Sequence, residues 1–271
     1  KAMWTEMNGT FLLALFGGIF LSILSLSVLV EYLLEHHEIQ LWSFFFGLII
    51  ASVWLVGKTV KKWNVLNIIG LLAGTVAAYY ITVMTPVGEN QNLFYIFLCG
   101  SIAVCAMILP GISGSFILLL LGAYTTILGA VSNLVKALKA GNWDDVFSNG
   151  FTLAVFLLGC LAGLIFFAKL LNWLFKKAHD LTVAILTGFL IWSLNKIWPW
   201  KETKEWFIKH AGTPEEEKVP LIQENISPSQ LEEITGEPSY MIVGICLMLL
   251  GFAVILVLDY FGRKKPAKKE N

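Results

Sequence analysis

Long apolar runs joined by short polar connections dominate the chain. A helix crosses a membrane core of about 30 Å with about 20 mostly apolar residues. Six runs reach or approach this length and predict transmembrane helices: residues 9–30, 41–57, 65–84, 151–175, 181–197 and 240–261. The pattern therefore predicts an all-α polytopic membrane protein, in which residues 1–271 form a single integral membrane domain.

A seventh apolar run, residues 93–131, is too long for one span and is interrupted at its centre. The interruption reads Pro-Gly-Ile-Ser-Gly-Ser and occupies residues 110–115. Proline cannot continue a helix and glycine permits a tight turn. The two halves, residues 93–109 and 115–131, each have about 17 residues, which is the lower limit for a span. The run therefore predicts a helical hairpin.

The basic residues predict the direction of each helix, because Lys and Arg near helix ends favour the cytoplasm. Three clusters mark this side: Lys58, Lys61 and Lys62; Lys169, Lys176 and Lys177; and the basic tail, residues 263–271. All three fall on one side only if residues 93–131 enter the membrane from outside and return there. The hairpin is therefore predicted to be re-entrant and the C-terminus cytoplasmic. Lys136 and Lys139, which would lie outside, do not fit this rule.

Residues 198–239 form a long polar segment with several prolines and both signs of charge. The same alternation of helix directions places the segment outside. Its composition predicts a partly ordered loop with too little apolar surface for a domain of its own.

Composition and motifs narrow the function classes. The chain is 57% hydrophobic and 14% charged, whereas soluble domains carry about 25% charged residues. Its 19 basic and 19 acidic residues cancel, which argues against nucleic acid as a partner. Its four cysteines lie in apolar runs without metal-type spacing, and motifs for hydrolysis, nucleotide binding or prenyl transfer are missing. The sequence predicts neither an enzyme nor a metal or other cofactor.

The Pro-Gly break is the main candidate site. Irregular backbone within a bilayer is costly unless it is buried in protein or lines a polar cavity. Pro110 ends the incoming helix, and Gly111 and Gly114 allow close backbone approach. Ser113 and Ser115 add hydroxyls to the N–H groups at the start of the outgoing helix, an arrangement that suits an anion and above all phosphate. The alternative is a turn that serves helix packing alone.

Five further polar residues are candidates for substrate contact, each with an alternative structural role. A lysine within a span commonly snorkels to the interface, an aspartate at a helix start commonly caps it, and a lysine among tryptophans fits an interfacial belt. A tyrosine beside the hairpin mouth donates a hydrogen bond or simply packs. The candidates are Tyr124, Lys169, His179, Asp180 and Lys196, with Asp180 the predicted cap.

Three blocks resemble a known family. They read AVCAMILPGISGSFILLLLGAY at residues 103–124, FFFGLIIAS at 44–52 and HDLTVAILTGFLIWSLNKIWPW at 179–200. In this order and spacing they resemble the bacterial membrane family long catalogued as domain of unknown function 368, now associated with polyprenyl-phosphate transport. The resemblance covers most of residues 9–261.

The resemblance implies translocation of undecaprenyl phosphate from the outer to the inner leaflet of the bacterial cytoplasmic membrane, for reuse in cell-wall synthesis. Its partners would be this lipid and the surrounding membrane lipids. Lys196 would attract the headgroup outside, and Lys169 with residues 176–179 would receive it inside. The family usually carries an earlier Pro-Gly-Val-Ser-Gly-Gly hairpin, which this chain lacks. The chain starts at Lys1, so the expectation is an inverted-repeat transporter whose first hairpin is missing from the chain shown.

Other functions use the same residues. A secondary transporter of a small anion would need the broken-helix site without a lateral opening. An assembly protein would need the motif for packing only, and an enzyme acting on lipid phosphates would need more acids. The sequence leaves open proton coupling, the prenyl chain length and whether the chain forms a homo-oligomer.

Overall fold

The computed structural model describes residues 9–84, 87–88, 90, 92–209 and 217–264. Within them are ten helices and two strands: α1 (Gly9–His36), α2 (Glu38–Lys58), α3 (Val65–Val83), α4 (Leu93–Ile108), α5 (Gly114–Leu120), α6 (Tyr124–Ala140), α7 (Trp143–Lys177), α8 (His179–Lys196), β1 (Lys201–Lys209), β2 (Glu217–Asn225), α9 (Pro228–Thr235) and α10 (Met241–Lys264). Most of the predicted basic tail, residues 265–271, lies outside the described residues.

The helices have the lengths and apolar character that a membrane requires. Five in the described part of the chain are long and apolar enough to span, namely most of α1, then α2, α3, α7 and most of α10, and a bent pair formed by α5 and α6 brings the number to six. The predicted span at residues 181–197 is helical as α8. Polar residues at both of its ends keep its mean hydropathy below that of the other spans; these are His179, Asp180, Asn195 and Lys196. The all-α polytopic fold is confirmed.

The outer surfaces of these helices are apolar. Phe20 on α1, Phe166 on α7 and Leu249 on α10 are all largely exposed. Such broad apolar faces are not stable in water and match the hydrocarbon of a bilayer.

The chain divides into two units, Ile49–Lys196 and a second one formed by Lys1–Leu48 with Ile197–Asn271. In the first unit, α3 packs along α8. Asp180 lies near the start of α8 and accepts a hydrogen bond from Lys62 N, just before α3. Near the other end, the Trp192 indole N–H donates to Thr82 Oγ1 at 2.8 Å. Contacts therefore advance in the same direction along both helices, which are parallel.

Helices α4 and α7 form the other main pair of this unit. Gly159 lies against the carbonyl of Phe97, and Gly163 lies against the backbone of Ser101 one turn further on. The Ser101 hydroxyl donates to Gly159 O at 2.7 Å. Because both residue numbers rise together, α4 and α7 are also parallel.

These two parallel pairs are the ones that a hairpin at residues 93–131 requires. If those residues crossed the membrane once, α7 would run opposite to α4 and α8 would run opposite to α3. A hairpin that enters and leaves on one side gives the observed parallel pairs.

One glycine contact recurs in three helix pairs. In each pair a glycine of one helix faces a carbonyl of its partner, and a partner glycine three residues beyond that carbonyl faces the first helix in return. The glycine pairs are Gly74 with Gly188 (α3 and α8), Gly159 with Gly100 (α7 and α4), and Gly47 with Gly251 (α2 and α10). Such contacts let backbones approach closely, as is typical of helix packing in membranes.

The second unit contains the long polar segment, which is more ordered than predicted. Strands β1 and β2 pair antiparallel, from Lys201 opposite Asn225 to Lys209 opposite Glu217. Helix α9 begins with a capping box at Ser227 and Gln230. The Trp200 indole N–H donates to Ser239 O at 2.9 Å and closes the segment at its base. Sequence reasoning predicted only a loop, because prolines and charges hide the strand pattern.

Candidate functional site

Helices α4 and α5 form the two arms of the hairpin. At its open end the Tyr95 hydroxyl donates to Leu121 O at 2.7 Å. Near the turn, Gly114 lies beside Ala103 O and the Met107 side chain. Since position 95 meets 121 and position 103 meets 114, the arms are antiparallel.

The turn follows from three residues. Leu109 leaves the helical region, with φ −75° and ψ 132°, as residues before proline tend to do. Pro110 follows without an N–H to donate. Gly111 has φ +84°, a left-handed conformation that favours glycine. Helix α5 then begins after Ser113, whose side chain makes no cap hydrogen bond.

The turn packs against the last turns of α8. Gly111 lies directly against Ser193, so closely that a Cβ at position 111 would lie 3.3 Å from the Ser193 Cα and Oγ. Lys196 Nζ lies 5.5 Å from the centroid of the Phe116 ring, next to Ser115 in sequence. The structure thus brings together the turn and Lys196, two parts of the predicted site that are 81 residues apart in the chain (115 to 196).

The turn has a polar side and an apolar side. Ser113 and Ser115 are exposed, and their Oγ atoms are 2.8 Å apart, so one hydroxyl donates to the other. The second proton of this pair is then available to an acceptor. Ile112 points the other way and is buried. Neighbouring residues of one turn therefore face a polar environment on one side and an apolar environment on the other.

The apolar side opens into a cavity of about 720 Å³. It lies between the end of α3 and the two arms of the hairpin. Its lining is almost wholly apolar and includes Ile81, Met84, Ile102, Leu109, Ile112 and Leu121. An apolar chain and a polar group could therefore bind side by side at the turn.

The outgoing half differs from the prediction. Residues 115–131 were expected to continue as one helix, but α5 ends at Leu120 and α6 leaves at a bend of 108°. Gly122 has φ +63°, and the N–H of Ala123 donates to Leu118 O at 2.9 Å, an arrangement that ends helices. A helix of two turns has a weaker end charge than a full span. The main polar groups beside the turn are therefore the hydroxyls of Ser113 and Ser115 and the Lys196 ammonium.

The other predicted site residues lie away from the turn. Tyr124 starts α6, beyond the far end of α5. Lys169 is exposed on α7, six residues past Gly163, and no contact in the described part of the chain joins it to the turn. His179 and Asp180 lie at the start of α8, and Asp180 is thirteen residues before Ser193, or about 20 Å along the helix.

Asp180 is not the predicted cap. Helix α8 already begins at His179, and the Asp180 carboxylate accepts from Lys62 N at 3.1 Å, which ties α8 to the turn before α3. Its other oxygen lies 3.2 Å from His179 Nδ1. The hydrogen bond with His179, helped by the amides of Lys62 and Lys61, holds the pKa of this carboxyl below its ordinary value. The arrangement stabilises a charged Asp180 at the membrane surface.

Ser193 and Phe116 are neighbours of the turn that sequence reasoning did not select. Ser193 reads as an ordinary helical serine, and its hydroxyl donates to Leu190 O at 2.7 Å. The sequence signal was indirect, since a glycine forced to positive φ at a turn often marks close approach of another backbone.

Comparisons with known proteins identify one family. A family model described as undecaprenyl phosphate translocase-like matches residues 1–214. A protein of Vibrio cholerae serotype O1 named polyprenyl-phosphate transporter is 42% identical over 262 residues, which are 97% of this chain and 79% of that protein. A protein of Staphylococcus aureus with the same name is 34% identical over 213 residues, 73% of this chain and 72% of that protein. No solved structure matches the chain.

The apolar helices around the broken helical hairpin define a polytopic membrane protein, and the family match places it among transporters. The chain belongs to the undecaprenyl phosphate translocase-like family, whose model covers residues 1–214.

Proposed function

We propose that the protein translocates a polyprenyl phosphate, specifically undecaprenyl phosphate, across the bacterial cytoplasmic membrane. It moves the lipid without chemical change and so recycles the carrier of cell-envelope synthesis. The family match and the names of both relatives support this substrate class. The structural observation that carries the proposal is the two-sided turn at residues 110–115.

The two sides of the turn fit the two parts of the lipid. Phosphate oxygens accept hydrogen bonds, and the exposed hydroxyls of Ser113 and Ser115 can donate one to them. The prenyl chain is apolar and fits the cavity beyond Ile112. Such a lipid can bring its headgroup to the turn while its tail stays in hydrocarbon, which avoids the cost of burying a bare charge.

We propose that the lipid headgroup is attracted by Lys196 on one side of the membrane and by residues near the start of α8 on the other. The lysine clusters favour a cytoplasmic C-terminus, with Lys196 towards the outside and His179 towards the inside. Lys196 beside Phe116 attracts the phosphate to the turn. His179, with three exposed lysines of α7, attracts it on the cytoplasmic side; these are Lys169, Lys176 and Lys177.

The small-anion alternative has less support. A small anion needs a polar, water-facing cavity and has no use for an apolar cavity of about 720 Å³ beside its site. Both relatives are named for a lipid phosphate. Vesicles that carry the protein test the two directly, because only the lipid transporter moves undecaprenyl phosphate between leaflets. A proton gradient applied to the same vesicles tests coupling.

The double substitution Ser113→Ala with Ser115→Ala should slow transport about tenfold or more. It removes the hydroxyl donors, and a hydrogen bond to a charged group contributes roughly 1.5–3 kcal/mol. The measurement is the initial rate of undecaprenyl-phosphate movement in reconstituted vesicles, with insertion checked by chromatography in detergent.

The matched control for this double substitution is Ser25→Ala with Ser27→Ala on α1. Both serines are exposed, and the Ser25 hydroxyl donates within its own helix at 2.8 Å. The control should transport like the parent protein. A Ser113→Ala, Ser115→Ala protein that transports as fast as this control would exclude the turn as the phosphate site.

Replacement of Lys196 by Gln should raise the apparent KM for the lipid roughly three- to tenfold with little change in maximal rate. The change removes long-range attraction but leaves the turn intact. Transport by the parent protein should also fall more steeply with added salt than transport by the variant. Lys201→Gln is the control, since Lys201 lies over Trp42 at 4.7 Å in the other unit. Equal KM values for the two variants would contradict the role of Lys196.

A further inference from the structure

Helices α6 and α7 form a helical hairpin with a polar groove between them. They are joined at Gly141, whose φ of +70° ends α6. Between them run two adjoining cavities of about 530 and 400 Å³, which share Asn133 and Asn149. We name the two together the α6–α7 groove. Its polar lining includes Thr125, Thr126, Asn133, Lys136, Ser148 and Asn149.

Large apolar side chains are exposed on the outer faces of the same helices. Val135 is 47% and Leu138 55% exposed on α6, while Trp143 is 65% and Phe147 72% exposed on α7. A helix pair in water buries its apolar faces and exposes its polar ones. In this pair large apolar side chains remain exposed on the outer faces, which indicates lipid there. The groove is lined by polar side chains, among them the exposed Thr125, Asn133 and Lys136, which indicates water or a polar ligand.

The chemistry of the groove favours an anion with several acceptor oxygens. Hydroxyls and side-chain amides supply most of its polar groups, and Thr126 Oγ1 is buried without a hydrogen-bond partner. Lys136 has no carboxylate within ion-pair distance among the described residues. The one carboxylate of the lining, Asp145, accepts a hydrogen bond from the Asn142 amide at 2.7 Å. These hydrogen-bond donors and the positive charge of the Lys136 ammonium together suit a phosphate, which has several acceptor oxygens and a negative charge.

The groove begins where the hairpin of α4 and α5 opens. Thr125 follows the bend at Gly122, and Ile96 of α4 lines the same cavity. The turn at residues 110–115 is at the other end of α5. The groove and the turn therefore lie at opposite ends of α5, and Lys196 adjoins the turn and not the groove, so a headgroup can contact the two places separately. The position also explains why Lys136 breaks the lysine rule.

We propose that the α6–α7 groove is a second phosphate site, which binds the lipid headgroup at the outer leaflet in addition to the turn. This rests on the proposed function and on the orientation inferred from the lysines. Phosphate binding at this site requires neither a metal ion nor a change of protonation state, only the hydrogen-bond donors of the groove and the charge of Lys136.

The test compares Lys136→Gln with Lys139→Gln. Lys139 is on the same helix but does not line the groove, so both variants lose one charge from one helix. Lys136→Gln should raise the apparent KM for undecaprenyl phosphate about tenfold in vesicles, with maximal rate nearly unchanged. Thr126→Val with Asn133→Leu, which keeps the charge, should have a similar effect. Equal KM values for the parent protein and all these variants would overturn the proposal.

Binding of inorganic phosphate in detergent separates this site from the proposed function. Calorimetry should show weaker binding in Lys136→Gln than in Lys139→Gln, also when Ser113 and Ser115 are both replaced by alanine. If the groove binds phosphate but vesicles move no lipid, the proposed function fails and the anion site stands. If Lys136→Gln weakens phosphate binding while lipid KM stays unchanged, the groove serves free phosphate and the headgroup assignment is overturned.

Discussion

Replacement of Gly74 by alanine should greatly reduce the amount of folded protein. A Cβ at this position collides with the carbonyl group of Ile185 in α8, and backbone cannot move aside as a side chain can. On the partner helix, a Cβ at Gly188 would lie 2.8 Å from Thr75 N. Forcing the helices apart at this crossing should cost about 3 kcal/mol or more, a large part of the stability of a typical domain.

Gly57→Ala is the matched control for Gly74→Ala. The nearest atoms to a Cβ at position 57 are Trp63 Cζ2 at 3.9 Å and Thr187 Cγ2 at 4.0 Å, which is ordinary contact. Because alanine favours a helix over glycine by about 1 kcal/mol, this variant should be neutral or more stable. Thermal unfolding and monodispersity in detergent measure the folded stability of both variants. If Gly74→Ala melts at or above the temperature of Gly57→Ala, the close crossing of α3 and α8 is refuted.

The helical hairpin of α4 and α5 could be predicted from the sequence because two independent signals agreed. Pro110 and Gly111 broke the apolar run, and the lysines required an even number of crossings within residues 93–131. The first signal is local, and the second depends only on counting membrane crossings along the chain. Neither requires information about which helices are in contact. The parallel pairing of α4 with α7 depends on the same crossing number and follows from it.

Contacts between distant segments could not be predicted in this way. The approach of Ser193 to Gly111 depends on how α8 packs, and an isolated serine carries no sign of it. The recurring glycine pairs are hidden for the same reason, because each glycine gains its role only from a partner on another helix. The members of these pairs are 59 (100 to 159), 114 (74 to 188) and 204 (47 to 251) residues apart in the chain.

The break between α5 and α6 was visible in the sequence but easy to misread. Gly122 and Ala123 lie within an apolar run that has the composition of a continuous helix. Glycine inside such a run is tolerated in membrane helices, so composition alone does not predict a bend of 108°. The bend depends on the left-handed conformation of Gly122 and on its contact with the carbonyl groups of Val87 and Gly88.

Replacement of Gly111 by alanine should lower transport at least tenfold while most of the protein still folds. The backbone at this position has φ +84°, which costs an L-residue roughly 1–2 kcal/mol, and the new Cβ also collides with Ser193. Both effects displace the turn that carries Ser113 and Ser115. The measurement is the initial rate of undecaprenyl-phosphate movement in vesicles, with folding followed by thermal unfolding in detergent.

Two further variants separate the collision from the backbone strain at Gly111. Gly236→Ala, just after α9, places alanine at φ +70° where no atom lies within 4 Å of the new Cβ, so it carries the strain alone and should transport nearly normally. Gly111→Ala combined with Ser193→Gly removes the Ser193 Cβ that the new methyl group meets, and should recover part of the lost rate. Because Ser193→Gly alone weakens α8 slightly, recovery in the double variant can come only from relief of the collision. A double variant no faster than Gly111→Ala would show that the turn does not depend on its contact with α8.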